Sequence, residues 1–294
     1  MKTLAFIVNP VSGGKDKKNI LAAIARHLDL SRCKAILLQT GAAGEATRLA
    51  REVEADIVVA VGGDGTVSEV ARGLIGTQKA LGIIPCGSGD GLALHLGISR
   101  EPALAVKVLN EGCIVPMDYA LPDGKPFFCT AGVGLDARVS WDFAASTRRG
   151  LPTYIHTAWE DWKKRRPEHF RITTDDAFWD GEAVFVTVCN ANQWGNEARI
   201  APKASVRDGL LDVTIVTPFD TLEIPDLATR LMTGKALSSR HVVQLHGARV
   251  QIEREEEGPA HLDGDPFTAG KALNMELQPA GLRVVVPQKR KDRI

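Results

Sequence analysis

The chain has little of what marks a secreted, fibrous or membrane-spanning protein. Its five cysteines (Cys33, Cys86, Cys113, Cys129, Cys189) are scattered, odd in number and include no CxxC pair. This argues against a disulfide framework or a cysteine zinc site and leaves reduced, mostly buried small side chains, as in a cytoplasmic protein. No apolar run approaches the roughly 20 residues of a membrane-crossing helix. The start, Met1-Lys2-Thr3-Leu4, enters a strand pattern directly, without the apolar leader and small-residue cleavage site of a secretory signal. A membrane, if met, is met at its surface. Neither sign of charge predominates: 36 Lys plus Arg stand against 36 Asp plus Glu. The strongly basic face that announces nucleic-acid binding is therefore not expected. His241 and His246, five apart on a strand-like run, would face opposite ways and do not suggest a shared metal. Internal repeats and low-complexity tracts are absent as well.

What is present is an ordinary globular balance, 294 residues with 44% hydrophobic and 24% charged, enough for one or two domains. The first part of the chain alternates short apolar runs at residues 4–8, 35–38, 56–61 and 81–84 with helix-like segments at 19–30, 45–53 and 67–75. Such alternation implies parallel βαβ units, whose ligands sit beyond the carboxyl ends of the strands. Three glycine-rich loops fall there: Asn9-Pro10-Val11-Ser12-Gly13-Gly14, Gly62-Gly63-Asp64-Gly65-Thr66 and Pro85-Cys86-Gly87-Ser88-Gly89-Asp90-Gly91. Further on, the β-type runs 127–130, 183–188, 211–216, 241–245, 249–252 and 282–286 surround one mainly helical insert at 141–166. The expected fold is an N-terminal doubly wound parallel-sheet α/β nucleotide domain over 1–115 and a C-terminal antiparallel β-sandwich over 116–294. The last strands and tail could pack back on the first domain, and the basic ending 288–294 reads as frayed.

Phosphate is bound by backbone N–H groups converging on a concavity, and glycine lets a backbone turn tightly and approach an anion. Gly62 to Thr66 supplies that backbone, an acid and a hydroxyl where a helix begins, and Gly87-Ser88-Gly89 repeats the device after the next strand. One such loop could be a mere strand-to-helix turn; two at adjacent strand ends favour a phosphate site. A Walker A loop is ruled out because Gly14-Lys15 is followed by Asp16 and position 9 is Asn. A dinucleotide fingerprint is ruled out because Gly87-Ser88-Gly89-Asp90-Gly91 is spaced G-x-G-x-G and follows the fourth strand. Asp64 within a phosphate loop would repel the ligand unless it works with a divalent cation, the usual partner of phosphoryl transfer. Downstream, Asp263-Gly264-Asp265 is either a solvated turn between strands or the carrier of a general base.

Taken together, Asn9 to Gly13, Gly62 to Thr66 with Glu69, Gly82-Ile83-Ile84-Pro85-Cys86-Gly87-Ser88-Gly89-Asp90, Gly132-Val133-Gly134-Leu135-Asp136 and Asp263-Gly264-Asp265 occur in the order found in the diacylglycerol kinase catalytic-domain family. Over about residues 2–287 the chain resembles that family, which includes bacterial lipid kinases and sphingosine and ceramide kinases. The resemblance implies an ATP- and Mg²⁺-dependent phosphorylation of a hydroxyl on a lipid such as diacylglycerol or a sphingoid base. Asn9, Ser12 and Gly13 would border the nucleotide, and Gly62, Gly63, Gly65, Thr66, Gly87, Ser88 and Gly89 would hold its phosphates. Asp263 would be the general base, Asp64 would work with the metal, and Ser205, Asp208 and the Leu210 carbonyl would hold a structural Mg²⁺. The implied partners are nucleotide and a lipid substrate met peripherally at a membrane surface, with no nucleic acid; a homodimer is left open.

Two departures stand out. The usual D-G-E reads Asp263-Gly264-Asp265, which puts a ribose or metal contact by Asp265 in question. The usual G-T-G-N reads Gly87-Ser88-Gly89-Asp90, where Ser88 leans toward the sphingosine-kinase-like branch. Asp90 either alters metal or nucleotide preference or caps the following helix. The insert carries Trp141, Phe143, Trp159 and Trp162 beside Arg148-Arg149 and Lys163-Lys164-Arg165-Arg166. These are either core aromatics with a solvated charged face, or an anionic membrane interface in which Trp159 and Trp162 share a helical face. Two competing functions remain: a NAD-kinase-like enzyme with a soluble acceptor, and a catalytically weak nucleotide- or lipid-binding regulator.

Overall fold

The computed structural model describes residues 1–10, 17–146, 150–292 and 294. Two compact units divide it, Met1–Asp118 with Pro279–Ile294, and Tyr119–Gln278. Ser12 and Gly13, like Arg148 and Arg149, lie outside the described residues.

The first unit is built from β1 (Lys2–Val8), α1 (Lys17–His27), β2 (Cys33–Gln39), α2 (Glu45–Glu52), β3 (Ile57–Gly62), α3 (Asp64–Leu74), β4 (Ala80–Pro85), α4 (Gly91–His95) and α5 (Pro102–Glu111). Strands run β2-β1-β3-β4, all parallel. Every residue of β3 and β4 is buried, as a central parallel strand covered on both faces must be. β2 exposes most of its side chains, as an edge strand does. Gly73 lets α3 approach α2 closely: a Cβ there would stand 2.8 Å from that of Ala50. The sheet therefore delivers the ends of β1, β3 and β4 to one edge, and the glycine loops start there.

The second unit contains β6 (Thr130–Gly134), α6 (Leu135–Ala145), α7 (Leu151–Lys164), β7 (Glu168–Thr174), β8 (Phe178–Ala183), β9 (Phe185–Cys189), β10 (Leu211–Val216), α8 (Ile224–Met232), β11 (Val242–Gly247), β12 (Arg249–Arg254), β13 (Gly258–Leu262) and β14 (Asp265–Ala269). β5 (Cys113–Pro122) and β15 (Ala272–Val286) each give one end to each unit. One sheet is antiparallel in the order β11-β10-β9-β6-β13-β14, and β12 pairs antiparallel with β7 and with the first half of β15. Val186, Val188, Val213, Ile215 and Leu262 from the former meet Phe170, Ile172, Val250, Ile252 and Met275 from the latter in one core. This is the antiparallel sandwich expected, its inner faces interdigitating.

Four features differ from the expectation. β7 and β8 form a hairpin that the sequence reading omitted; in β7 the buried Phe170, Ile172 and Thr174 alternate with the exposed His169, Arg171 and Thr173, whose polarity masks its apolar content. α8 was also omitted, although Asp220 and Glu223 form a capping box and Pro225 sits in the first turn. The run at 282–286 is only the end of a 15-residue strand. The basic tail is not simply frayed: Arg290 packs over Gly97 and Ile294 is buried.

Candidate active site

In the first unit the two glycine loops touch. Cβ atoms added at Gly63 and Gly87 would stand 3.0 and 2.7 Å from the opposite Cα, so only glycine fits at that crossing. Gly62 ends β3 against the side chain of Thr66, whose buried Oγ1 accepts a 3.3 Å hydrogen bond from Asn9 Nδ2. Gly65 is exposed, and a Cβ there would meet nothing within 4 Å, which leaves the start of α3 open to a ligand. Asp64, the first residue of α3, turns sideways: its two carboxylate oxygens accept from Asp90 N at 2.9 Å and Gly91 N at 2.8 Å. It therefore ties the loop after β3 to the loop after β4.

Asp90 does not cap α4 with its side chain. It occupies the N-cap position in the left-handed region (φ 51°), and Oδ1 folds back to accept from Gly87 N at 2.8 Å. Oδ2 pairs with Arg100 Nε at 3.0 Å. Arg100 Nη2 also donates to the carbonyls of Ser88 and Gly89. With those carbonyls turned toward Arg100, Asn9, Gly62, Gly63, Asp64, Thr66 and the Gly87–Gly89 loop form one structure in this unit.

In the second unit, Asp263 and Gly264 are the two central residues of a hairpin between Leu262 and Asp265, with φ of 52° and 86°. Two positive-φ residues make the type I′ turn that an Asp-Gly pair encodes. The turn carries the half-buried Asp263 carboxylate onto the chain entering β6. Oδ1 accepts from Cys129 N at 2.7 Å and from Thr130 N at 3.2 Å, while Oδ2 accepts from Phe128 N at 3.0 Å. Asp263 N in turn donates to Thr130 O at 2.8 Å. Asp265 is exposed at the start of β14.

Beneath this turn lies a buried polar network that the sequence reading did not single out. His261 Nε2 is 3.1 Å from Asp136 Oδ2, both side chains almost wholly buried, and Thr187 Oγ1 donates to the same oxygen at 2.6 Å. Gly264 N donates to His261 Nδ1 at 3.3 Å. Burial resists protonation of His261, but the charges of Asp136, Asp263 and Asp265 prevail, and its pKa is raised. Gly132 is required here, since a Cβ would strike both Asp136 and His261. Asp136 ends the Gly132–Asp136 motif and His261 stands two residues before Asp263, but nothing in their spacing pairs them with each other or with Thr187.

The remaining expected positions separate. Ser205 Oγ accepts from Arg207 N at 3.2 Å and Asp208 Oδ1 from Leu210 N at 3.1 Å, two local turns of one loop with Gly209 at φ 77°. Their donors are hard oxygens, the chemistry of Mg²⁺ or Ca²⁺. Among the described residues no three His, Cys, Asp or Glu side chains gather at one point, so a cation here would depend on backbone carbonyls and water. Just inside, burial and then Asp208 push the Asp212 carboxyl up to about 6, against the pull of His246 at 3.0 Å. His241 instead faces Glu223 at 3.1 Å, so the two histidines serve different partners. Trp162 is buried, with Arg165 stacked 3.5 Å above it, whereas Trp159 is 46% exposed. They do not share a face, and the insert divides into a core aromatic and outward ones, Trp141 among them.

Comparison with known proteins closes the description. The profile of the diacylglycerol kinase catalytic domain matches residues 3–121, and that of the YegS C-terminal NAD kinase beta sandwich-like domain matches residues 129–286. A diacylglycerol kinase of Bacillus subtilis (strain 168) is 29% identical over 100% of this chain and 99% of its own length. A probable lipid kinase YegS-like protein of Pseudomonas aeruginosa is 32% identical over 93% of this chain and 92% of its own. A solved structure from Bacillus anthracis str. Sterne, assigned as a diacylglycerol kinase, superposes with a TM-score of 0.80 at 25% identity, covering 97% of this chain and 96% of that one. An NAD kinase from Archaeoglobus fulgidus shares the fold alone, with a TM-score of 0.51 at 12% identity over 99% of this chain and 96% of that one.

Proposed function

The chain belongs to the diacylglycerol kinase family of lipid kinases, and from that premise we propose that it transfers the γ-phosphoryl group of ATP to a hydroxyl of a diacylglycerol, sphingoid or related lipid. The observation that carries the reading is the tied pair of glycine loops: glycine contact at Gly63 and Gly87, Asp64 bridging to Asp90 and Gly91, and an open helix start at Gly65. Backbone N–H groups presented there suit the phosphates of a nucleotide, with Asn9 and Thr66 at the border.

The second role falls to Asp263. Its turn fixes a carboxylate by three backbone N–H groups, with one oxygen receiving the Phe128 N–H and the other those of Cys129 and Thr130. In the reaction one oxygen would take the proton of the attacking hydroxyl as its bond to the γ-phosphorus forms and the bond from that phosphorus to the β,γ-bridging oxygen breaks, releasing ADP. His261 supports the turn through Gly264 N. Asp64, at the start of α3, and Asp208, on its loop in the second unit, offer hard carboxylate oxygens, and each would hold its own Mg²⁺, which at the phosphates neutralises charge when bound. Asp265, Ser205 and Leu210 belong to the same assignment as ribose or metal contacts. Among the described residues no helix is long and apolar enough to cross a membrane, and the reading places the lipid at a membrane surface.

The test is incubation of the protein with labelled ATP, Mg²⁺ and a total lipid extract, followed by identification of the labelled species. Wild type should label a lipid. Asp263→Asn should reduce turnover by at least about 100-fold while nucleotide still binds. Labelling that persists at the wild-type rate in that variant removes Asp263 from the base role, and no labelled lipid from wild type removes the lipid-kinase reading.

A further inference from the structure

The buried titratable side chain nearest Asp263 along the chain is His261. On β13, Ala260 and Leu262 turn into the sandwich core, so His261 projects from the opposite face. There Gly132, its partner on the neighbouring β6, leaves the space that the ring and the Asp136 carboxylate fill. The ring has a neighbour at each nitrogen. Nε2 lies 3.1 Å from Asp136 Oδ2, an oxygen that also receives the Thr187 hydroxyl at 2.6 Å. Nδ1 accepts from Gly264 N at 3.3 Å.

These contacts specify the state of the ring. A backbone N–H can only donate, so Nδ1 must present a lone pair, and the ring proton belongs on Nε2, the atom that faces a carboxylate. The opposite tautomer would set two donors against each other at Gly264 and a lone pair against the Asp136 oxygen. His261 therefore meets the turn as neutral imidazole, in a tautomer dictated by its surroundings.

What the ring holds bears on the base. Gly264 N belongs to the peptide that joins Asp263 to Gly264, the central peptide of the turn. Glycine leaves that peptide free to rotate, and a rotation would change ψ at Asp263, the residue that bears the carboxylate. The N–H groups of Phe128, Cys129 and Thr130 grip the carboxylate itself, whereas His261 grips the backbone that carries it. We propose that His261 is a positioning residue for Asp263: Asp136 and Thr187 fix the ring, and Nδ1 fixes the turn that aims the general base. The catalytic meaning of this hold rests on the kinase reading; the hold itself does not.

Two substitutions separate the nitrogens. The carbonyl oxygen of an asparagine hangs from Cγ, as Nδ1 does, and can accept from Gly264 N. The amide nitrogen of a glutamine lies one bond further out, as Nε2 does, and can donate to Asp136. His261→Gln should therefore lower kcat by about tenfold or more and leave KM for ATP nearly unchanged. His261→Asn should keep kcat within about threefold of wild type, yet it strips the ring from a buried carboxylate and should unfold at lower urea than His261→Gln. Activity and stability then rank the two variants in opposite orders, which a merely structural side chain would not produce. Two readouts need no turnover. Ring nitrogen NMR of wild type at pH 8.5, chosen because the carboxylates raise the His261 pKa, should show the Nε2–H tautomer. Solvent exchange of the Gly264 amide should quicken in His261→Gln and not in His261→Asn. The proposal is overturned by wild-type kcat in His261→Gln, by a kcat that falls equally in both variants, or by a proton on Nδ1. If wild type phosphorylates no lipid, the kinase reading falls, while the tautomer and the Gly264 exchange still decide whether His261 holds the turn.

Discussion

Arg100 and Asp90 form an ion pair at 3.0 Å in which the carboxylate is almost fully buried and the guanidinium is one-third exposed. The pair sits behind the Gly87–Gly89 loop, and Arg100 also holds the outward carbonyls of Ser88 and Gly89. It accounts for a carboxylate at a position where the family usually has an amide: the acid is matched by an arginine ten residues on.

Removing one partner should therefore cost more than removing both. Arg100→Met takes the guanidinium from a buried carboxylate and is expected to destabilise the fold by about 2 kcal/mol, discounted for the exposure of Arg100. Adding Asp90→Asn removes the charge and should recover more than half of that loss. Chemical denaturation of the four proteins of the double-mutant cycle checks it, and simple additivity would refute the coupling.

The crossing of the two loops gives a steric prediction. Gly87→Ala would place a Cβ 2.7 Å from Gly63 Cα and 2.8 Å from Asp90 Oδ1. Overpacking of this kind costs about 2 kcal/mol, and the loops must separate to relieve it. Under the kinase reading, equilibrium dialysis with ATP should show weaker nucleotide binding. Gly65→Ala, where a Cβ meets nothing within 4 Å, should leave stability near wild type.

The buried Asp136–His261 pair predicts a pH-dependent cost. His261 has a raised pKa, with burial opposing and the neighbouring carboxylates prevailing. A raised value means that the pair's contribution is complete below the ordinary imidazole value of about 6.5 and fades as pH rises through the folded value. Asp136→Asn should accordingly cost about 3 kcal/mol at pH 5.5 and clearly less at pH 8.5. A cost that is flat between these pH values, measured by urea denaturation, would show that the histidine does not titrate with folding.

Asp161 behaves in the opposite sense to a paired carboxylate. Its pKa is pushed up to about 6 by burial and then by Asp142, so the native state holds the proton more tightly than the unfolded chain. Stability from this group is present below its ordinary value of about 3.9 and is lost as pH rises toward the folded value. Asp161→Asn has no proton to lose. It should be more stable than wild type by about 1 kcal/mol at pH 7.5, and the gain should vanish below pH 4. Thermal unfolding across that range decides it.

Much of the first unit was legible because its signals are local. A fully buried strand such as β3 reads as a continuous apolar run, and a glycine loop at its end reads as a turn. The Asp263-Gly264 turn was equally legible, since both residues adopt the positive φ that the dipeptide favours. What was hidden depends on partners distant in sequence. Asp136, Thr187 and His261 come together from α6, β9 and β13, and no spacing in the chain announces the triad. The pairing of Asp90 with Arg100 likewise required the path of the chain after α4. β7 escaped because its outward charges diluted an alternation that packing makes plain.

Asp64 has one consequence in time as well as in space. Its carboxylate bridges the start of α3 to the amides of Asp90 and Gly91, so the two loops cannot fluctuate independently. Their amides should exchange with solvent together, as a single opening event. A ligand arriving at the Gly65 end of α3 meets backbone already ordered when the chain folded. Little conformational entropy is then left to lose on binding.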